Sequence, residues 1–281
     1  MFRRIKEEFS ILTSHRVKSV EYHPTEPIIA ISLFDGLIEI LNTNTNSLLR
    51  TIHVENNKPV RCARFFPSFH WIIAAGDNLT IYCYDYQTGN LVTSYPNAHA
   101  DFIRQISIHP TKPFFLSCSD DNLVKLFQIE HNALTLEQTF TGHTNFVLDV
   151  KINPKDPSTF ATASMDQKIH FWDMNMSTRR FSLIGHHDAV NCIEFFPKDD
   201  RPYIASGSDD CTINIWDYQT KSCVITLAGH RENVTSIKFH PIQPMLFSLG
   251  EDNMFLIWNT ISHENEVAID YQKERGWSID V

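Results

Sequence analysis

The sequence predicts an all-β propeller, and three observations carry that reading. Aligned apolar residues Val17, Val60, Ile103, Val147, Val190 and Val234 recur every 43 or 44 positions. Each period holds short β-branched or aromatic runs separated by Pro, Asp or Gly turns, with no helical periodicity. Gly-His and Trp-Asp landmarks return in register: "GHTNFVLDV" from Gly142, "GHHDAVNCI" from Gly185 and "GHRENVTSI" from Gly229 each precede an "FWD", "IWD" or "IWN".

Taken in order, the repeats fall near 15–57, 58–97, 98–141, 142–184, 185–228 and 229–270, the first two being degenerate. Each reads as three strands and a fourth that leads toward the next repeat. In the fifth these are "VNCIEFF", "YIASGS", "TINIWD" and "CVITLAG". Ahead of the first repeat, "EEFSIL" fits a strand over 5–12 that has no blade of its own. At the other end, "GWSIDV" (276–281) aligns with the opening strand of a seventh repeat, Ile279 falling where Ile237 does. The expectation is six complete blades plus an incomplete seventh from 271, closed by the N-terminal strand so that sheet edges are hidden. All of it reads as one domain, 1–281. The two missing middle strands suggest a piece of a longer chain.

Composition narrows the function classes. A net charge of −9 argues against general nucleic-acid binding, which needs phosphate neutralisation. No apolar run reaches the ~18 residues that cross a bilayer, and the charged N-terminus "MFRRIKEEF" does not read as a secretion signal. The six cysteines form no CxxC pair and read as reduced thiols. Without a P-loop, a nucleophile elbow or metal-ligand spacing, the chain predicts no enzyme, no cofactor and no metal.

The recurring landmarks resemble the WD40 repeat family over nearly the whole chain. The resemblance implies a buried network in each blade, formed by the His, a strand Ser or Thr, the turn Asp and the Trp. The matching positions are His143, Asp166 and Trp172; His186, Asp210 and Trp216; His230, Asp252 and Trp258. Repeat three has His99 and Asp121 with Phe127 in place of Trp, and repeats one and two have Leu41 and Tyr84 there. A His–Asp pair repeated in every blade reads as scaffold, since an active site needs only one.

In a propeller, equivalent positions form a ring. The residue after the aligned apolar position is Lys18, Arg61, Arg104, Leu148, Asn191, Thr235 and Trp277 in turn. With Arg16, this gathers four cations on the arc of blades one to three. The turn before the third strand contributes Asp120 and Asp209 where repeats one and four have Phe34 and Met165, and Asp101 lies on the same face. Part of this charge is expected to pair internally, Asp101 with Arg104 above all, leaving Arg16, Lys18 and Arg61 short of partners. Cations facing acids across one rim suit a peptide C-terminus with a lysine a few residues upstream.

"HRVKSVEYHPTEP", "NKPVR", "NPKDPSTFATASMD" and "INIWDYQTKSCVITLAGH" look like the first propeller of coatomer beta-prime subunits. In that family this propeller captures dilysine signals on the cytosolic tails of membrane cargo returning from Golgi to endoplasmic reticulum. The resemblance implies that Arg16, Lys18 and Arg61 hold the tail carboxylate, with Arg104 supporting. Asp101 and Asp120 would take the lysine ammonium, Asp209 more weakly. It also implies partnership with the other coatomer subunits, alpha among them, and a cytoplasmic place on the surface of Golgi membranes and vesicles without insertion. Charge-assisted bonds of roughly 1.5–3 kcal/mol each, less the cost of ordering a tail, predict affinity on the order of micromolar. The alternatives are a generic interaction scaffold binding ubiquitin or another protein on its upper face, and a coat component with a degenerate pocket.

Overall fold

The computed structural model describes residue 13 and residues 15–198, 201–271 and 276–281. Among these, the strands form six antiparallel sheets of four, each in simple chain order. The first strands are Val17–Tyr22, Val60–Phe66, Ile103–Ile108, Val147–Ile152, Val190–Phe195 and Val234–Phe239. Each of the first five packs against the first strand of the next sheet, so the six line a common channel as blades of a propeller. Two of the second strands, Thr159–Ser164 and Trp71–Gly76, are buried along their whole length. They carry small and β-branched residues because a neighbouring blade covers each face.

The seventh position of the ring is taken by 276–281. The Thr235 hydroxyl donates to the Gly276 carbonyl at 2.6 Å, and the Ile279 amide donates to Ser236 Oγ at 3.2 Å. On the other side, the Val20 amide donates to Ser278 Oγ at 3.3 Å and the Tyr22 amide to Asp280 Oδ2 at 2.7 Å. The segment thus bridges blades six and one where an opening strand belongs, though it forms no regular ladder of its own. The expected closing strand at 5–12 lies outside the described residues.

The core sits in the seams between blades. Leu116, Phe140, Val150, Phe160 and Trp172 fill the seam of blades three and four, and four similar clusters fill the others from blade one to blade six. On the face of blade one that looks toward 276–281, only Ile31, Leu33 and Leu41 form a buried cluster, with Val17, Val20, Ile29 and Leu37 half-buried around it.

The WD40-type networks are present in blades four to six. His143 bonds Asp166 at 2.8 Å and Thr162 at 2.7 Å, and the Trp172 indole donates to the same hydroxyl at 2.9 Å. His186, Asp210, Ser206 and Trp216 repeat the pattern, as do His230, Asp252, Ser248 and Trp258. Blade three keeps His99 with Asp121 and Ser117 but has no indole to complete it. Each Asp also shapes its turn: Asp210 Oδ1 accepts the Thr212 amide across Cys211, whose backbone has φ 66°. Burial alone would raise the Asp210 carboxyl, yet bonds from Thr212, His187 and His186 bring it down to about 2.

Candidate functional site

A β-bulge builds the channel mouth. In the first blade Val17 pairs with Leu33 and Ser19 with Ser32, so Lys18 is an extra residue without an opposite number. The same slip recurs at Arg61, Arg104, Leu148, Asn191 and Thr235. A bulged residue leaves the ladder and its side chain is re-aimed. All six, with Trp277, line one channel cavity of about 410 Å³. The column read from the sequence is therefore a physical ring, and its basic members are neighbours.

The cations of this ring differ in how they are neutralised. Arg61 turns its Nε and Nη2 edge to the Asp77 carboxylate, Nη2 donating to Oδ2 at 3.1 Å, and its guanidinium lies 5.1 Å from the centre of the Phe102 ring. Arg104 grips Asp120 in the same way, at 2.6 and 2.5 Å. Lys18 makes no ion pair among the described residues; its ammonium lies 4.4 Å from the Trp277 ring centre and 5.3 Å from that of Phe34. Burial, with Arg61 and Arg16 nearby, lowers the Lys18 ammonium to about 8. Arg16 acts on Lys18 through this charge repulsion and stands outside the cavity lining.

The acids are arranged differently from the expectation. Arg104 pairs with Asp120 and not with Asp101, because both belong to one blade's bulge and turn, 16 residues apart. Arg61, expected to lack a partner, has Asp77 at the same spacing. Asp77 went unnoticed in the sequence, although counting 16 residues on from Arg61 finds it. Asp101 Oδ1 accepts the Phe102 amide at 2.7 Å, as Asn145 and Asp188 do for the residues that follow them. Asp209 accepts a bond from Asn191 at 2.6 Å, and burial raises its carboxyl. Of the three predicted lysine-binding acids, only Asp209 lines the cavity; Asp101 and Asp120 lie outside that lining.

Deeper in the channel the charges answer one another. Three residues beyond the bulge stand Glu21, Arg64, Lys151, Glu194, Lys238 and, in the docked segment, Asp280. Lys151 and Lys238 reach Glu194 at 3.3 and 3.1 Å, and Lys238 reaches Asp280 at 3.3 Å. Glu194 holds Lys238 well above its usual value, while burial pushes Glu21 up to about 7. This belt, three acids and three bases, ties blades together and is balanced in charge.

His143, Asp166 and His170 place potential metal-ligand atoms within 4.8 Å of one another. Both nitrogens of His143 are engaged, by Asp166 and Thr162, and His170 stacks on it at 3.9 Å while accepting from Arg179. The cluster reads as a blade lock, since most of its polar atoms are spent within the blade, although His170 Nδ1 has no partner among the described residues.

A protein-family model, WD domain, G-beta repeat, matches residues 46–85, 89–128, 134–173, 177–217 and 221–259. Each match runs from the outer strand of one blade through the third strand of the next. Over 266 residues the chain is 41% identical to the coatomer subunit beta' of Rattus norvegicus, covering 95% of this chain and 29% of that protein. Identity to the coatomer subunit beta' of Drosophila melanogaster is 38%, with the same coverage. For the putative coatomer subunit beta'-3 of Oryza sativa subsp. japonica it is 41% over 194 residues, 69% of this chain and 21% of that one. The chain spans less than a third of the length of these relatives.

Proposed function

Because the chain belongs to the WD domain, G-beta repeat family, we propose that it works by binding, and that its channel mouth takes the C-terminus of a dilysine-bearing peptide. The carboxylate meets Lys18 and Arg61, with Arg16 adding positive potential and Arg104 support. Asp101, Asp120 and Asp209 receive the lysine ammonium, Asp120 by sharing its charge with Arg104. The observation that carries this reading is Lys18, a bulge-aimed cation beside Arg61 with no carboxylate partner among the described residues. A chain-end anion supplies what the ring lacks.

Similarity to coatomer beta-prime subunits supports a coat-subunit role, in which the domain captures retrieval signals on cytosolic tails for Golgi-to-ER transport, alongside alpha and the other coatomer subunits. A single weak site suits reversible capture, and several copies in one coat compensate by avidity. The test is a titration with a peptide ending in a dilysine motif and with its C-terminal amide. The acid is expected to bind with micromolar affinity and the amide not to bind. Equal binding of the two overturns the carboxylate assignment. A second reading, a broader protein interface on this face, draws on the exposed Phe34, Phe102 and Met165, and it alone predicts binding that amidation leaves unchanged.

A further inference from the structure

The docked segment 276–281 does more than fill the ring. We infer that Trp277 is a positioning residue of the anion cradle, its indole face holding the Lys18 ammonium at the channel mouth. The inference rests on the binding role proposed above and adds an element from the far end of the chain. Trp277 occupies the seventh-blade equivalent of Lys18, Arg61 and Arg104, and lines the same cavity.

Its two neighbours in the chain are pinned, one to each flanking blade. Gly276 is held by Thr235 of blade six, and Ser278 by the Val20 amide of blade one. The ring between them therefore has a set place next to Lys18, at the opposite end of the chain. Arg61 and Arg104 owe their orientation to carboxylates, Asp77 and Asp120. Lys18 has π faces instead, Trp277 at 4.4 Å and Phe34 at 5.3 Å.

The difference matters for an incoming anion. A carboxylate partner fixes a cation but cancels its charge, whereas an aromatic face fixes it through the ring quadrupole and leaves the full charge to offer. A lysine also carries four rotatable bonds, and an unrestrained ammonium spends most of its time in solvent. Trp277 thus pre-orders the cation of the ring that has no carboxylate partner among the described residues. Seating of the C-terminal segment and strength of anion binding become linked.

The experiment uses the full 281-residue chain, with a dilysine-ended peptide and its amide as probes. Trp277→Leu keeps an apolar side chain but removes the π face, and is expected to weaken binding of the free acid by roughly 2- to 30-fold. Trp277→Phe is expected to recover most of that loss. In a Lys18→Met background, Trp277→Leu is expected to change nothing further, which a merely structural role would not produce. Wild-type affinity in Trp277→Leu, or an equal loss with and without Lys18, overturns the inference.

A ligand-free signature separates its failure from failure of the binding role. In the wild type, ring currents are expected to shift the Lys18 Hε proton signals upfield, and Trp277→Leu is expected to relax that shift. If no wild-type peptide binding is seen, the functional proposal falls while this measurement still decides the placement of Lys18. Unshifted Lys18 protons overturn the inference whatever the peptide does.

Discussion

In blades four to six a His, a hydroxyl, an Asp and a Trp close a hydrogen-bonded circuit, while the mouth positions of those blades are Leu148, Asn191 and Thr235. In blades one to three the circuit is partial or lacks its Trp, and the mouth positions are Lys18, Arg61 and Arg104. Blades one and two are tied by other means: the Tyr86 hydroxyl donates to Glu26 at 2.7 Å and lies 3.2 Å from His23, which packs edge-on against Phe65. The same repeat has thus been specialised in two directions, one arc locked by buried hydrogen-bonded networks and the other carrying positive charge at the channel mouth. Stability and ligand capture draw on different side chains, so each can be disturbed separately.

The largest effect is expected on the locked arc. Asp210→Ala removes bonds to His186, His187 and Thr212 and leaves buried donors without a partner, a cost of about 3 kcal/mol in urea unfolding. Asp77→Ala, on the charged arc, is expected to cost less, about 1–2 kcal/mol, since the freed Arg61 guanidinium still opens on the channel cavity and keeps the Phe102 ring face. Equal losses would erase the distinction between the arcs. Because the folded Asp210 carboxyl sits near 2, its contribution is complete above the ordinary carboxylate range and is lost as pH falls toward 2. The gap between wild type and Asp210→Ala should therefore narrow in acid.

Next in size comes binding. Arg61→Glu puts two acids side by side at the mouth, and a dilysine peptide is expected to lose roughly 10- to 150-fold in affinity by calorimetry. The urea midpoint should move far less than in Asp210→Ala. A variant that unfolds as readily as Asp210→Ala would mean that the charged arc is also structural.

The smallest effect is a pH dependence. With its ammonium lowered to about 8, Lys18 is charged below that value and loses its charge above it. Affinity for the free-acid peptide should hold steady below pH 7 and decline as pH rises through 8. Lys18→Arg, which does not titrate in this range, should flatten the profile. An unchanged decline in that variant would point to another group.

Much of the fold was legible because it repeats. A period of 43 or 44 with landmarks in register locates the blades, and alternation within each run locates the strands. The column of mouth residues was legible for the same reason, down to Trp277. The bulge that aims this column was not, since an unpaired residue leaves no mark on a sequence whose strand partners are unknown. Nor was the pairing within the rim. Asp101 stands three residues from Arg104 and looked like its partner, yet the side chain that reaches the guanidinium is Asp120, brought in by the turn of the neighbouring strand.

By itself, then, the sequence determined the architecture, the number of complete blades and the column from Lys18 to Trp277 at the channel mouth, because these depend on periodicity and local hydrophobic pattern. Only the tertiary structure decided which charges cancel and which stay available. Ion pairing depends on ångström distances between strands far apart along the chain, and the bulge, the turn and the docked C-terminal segment set those distances together. Lys18 acquires its aromatic neighbour Trp277 in this way, at 4.4 Å, from the opposite end of the polypeptide.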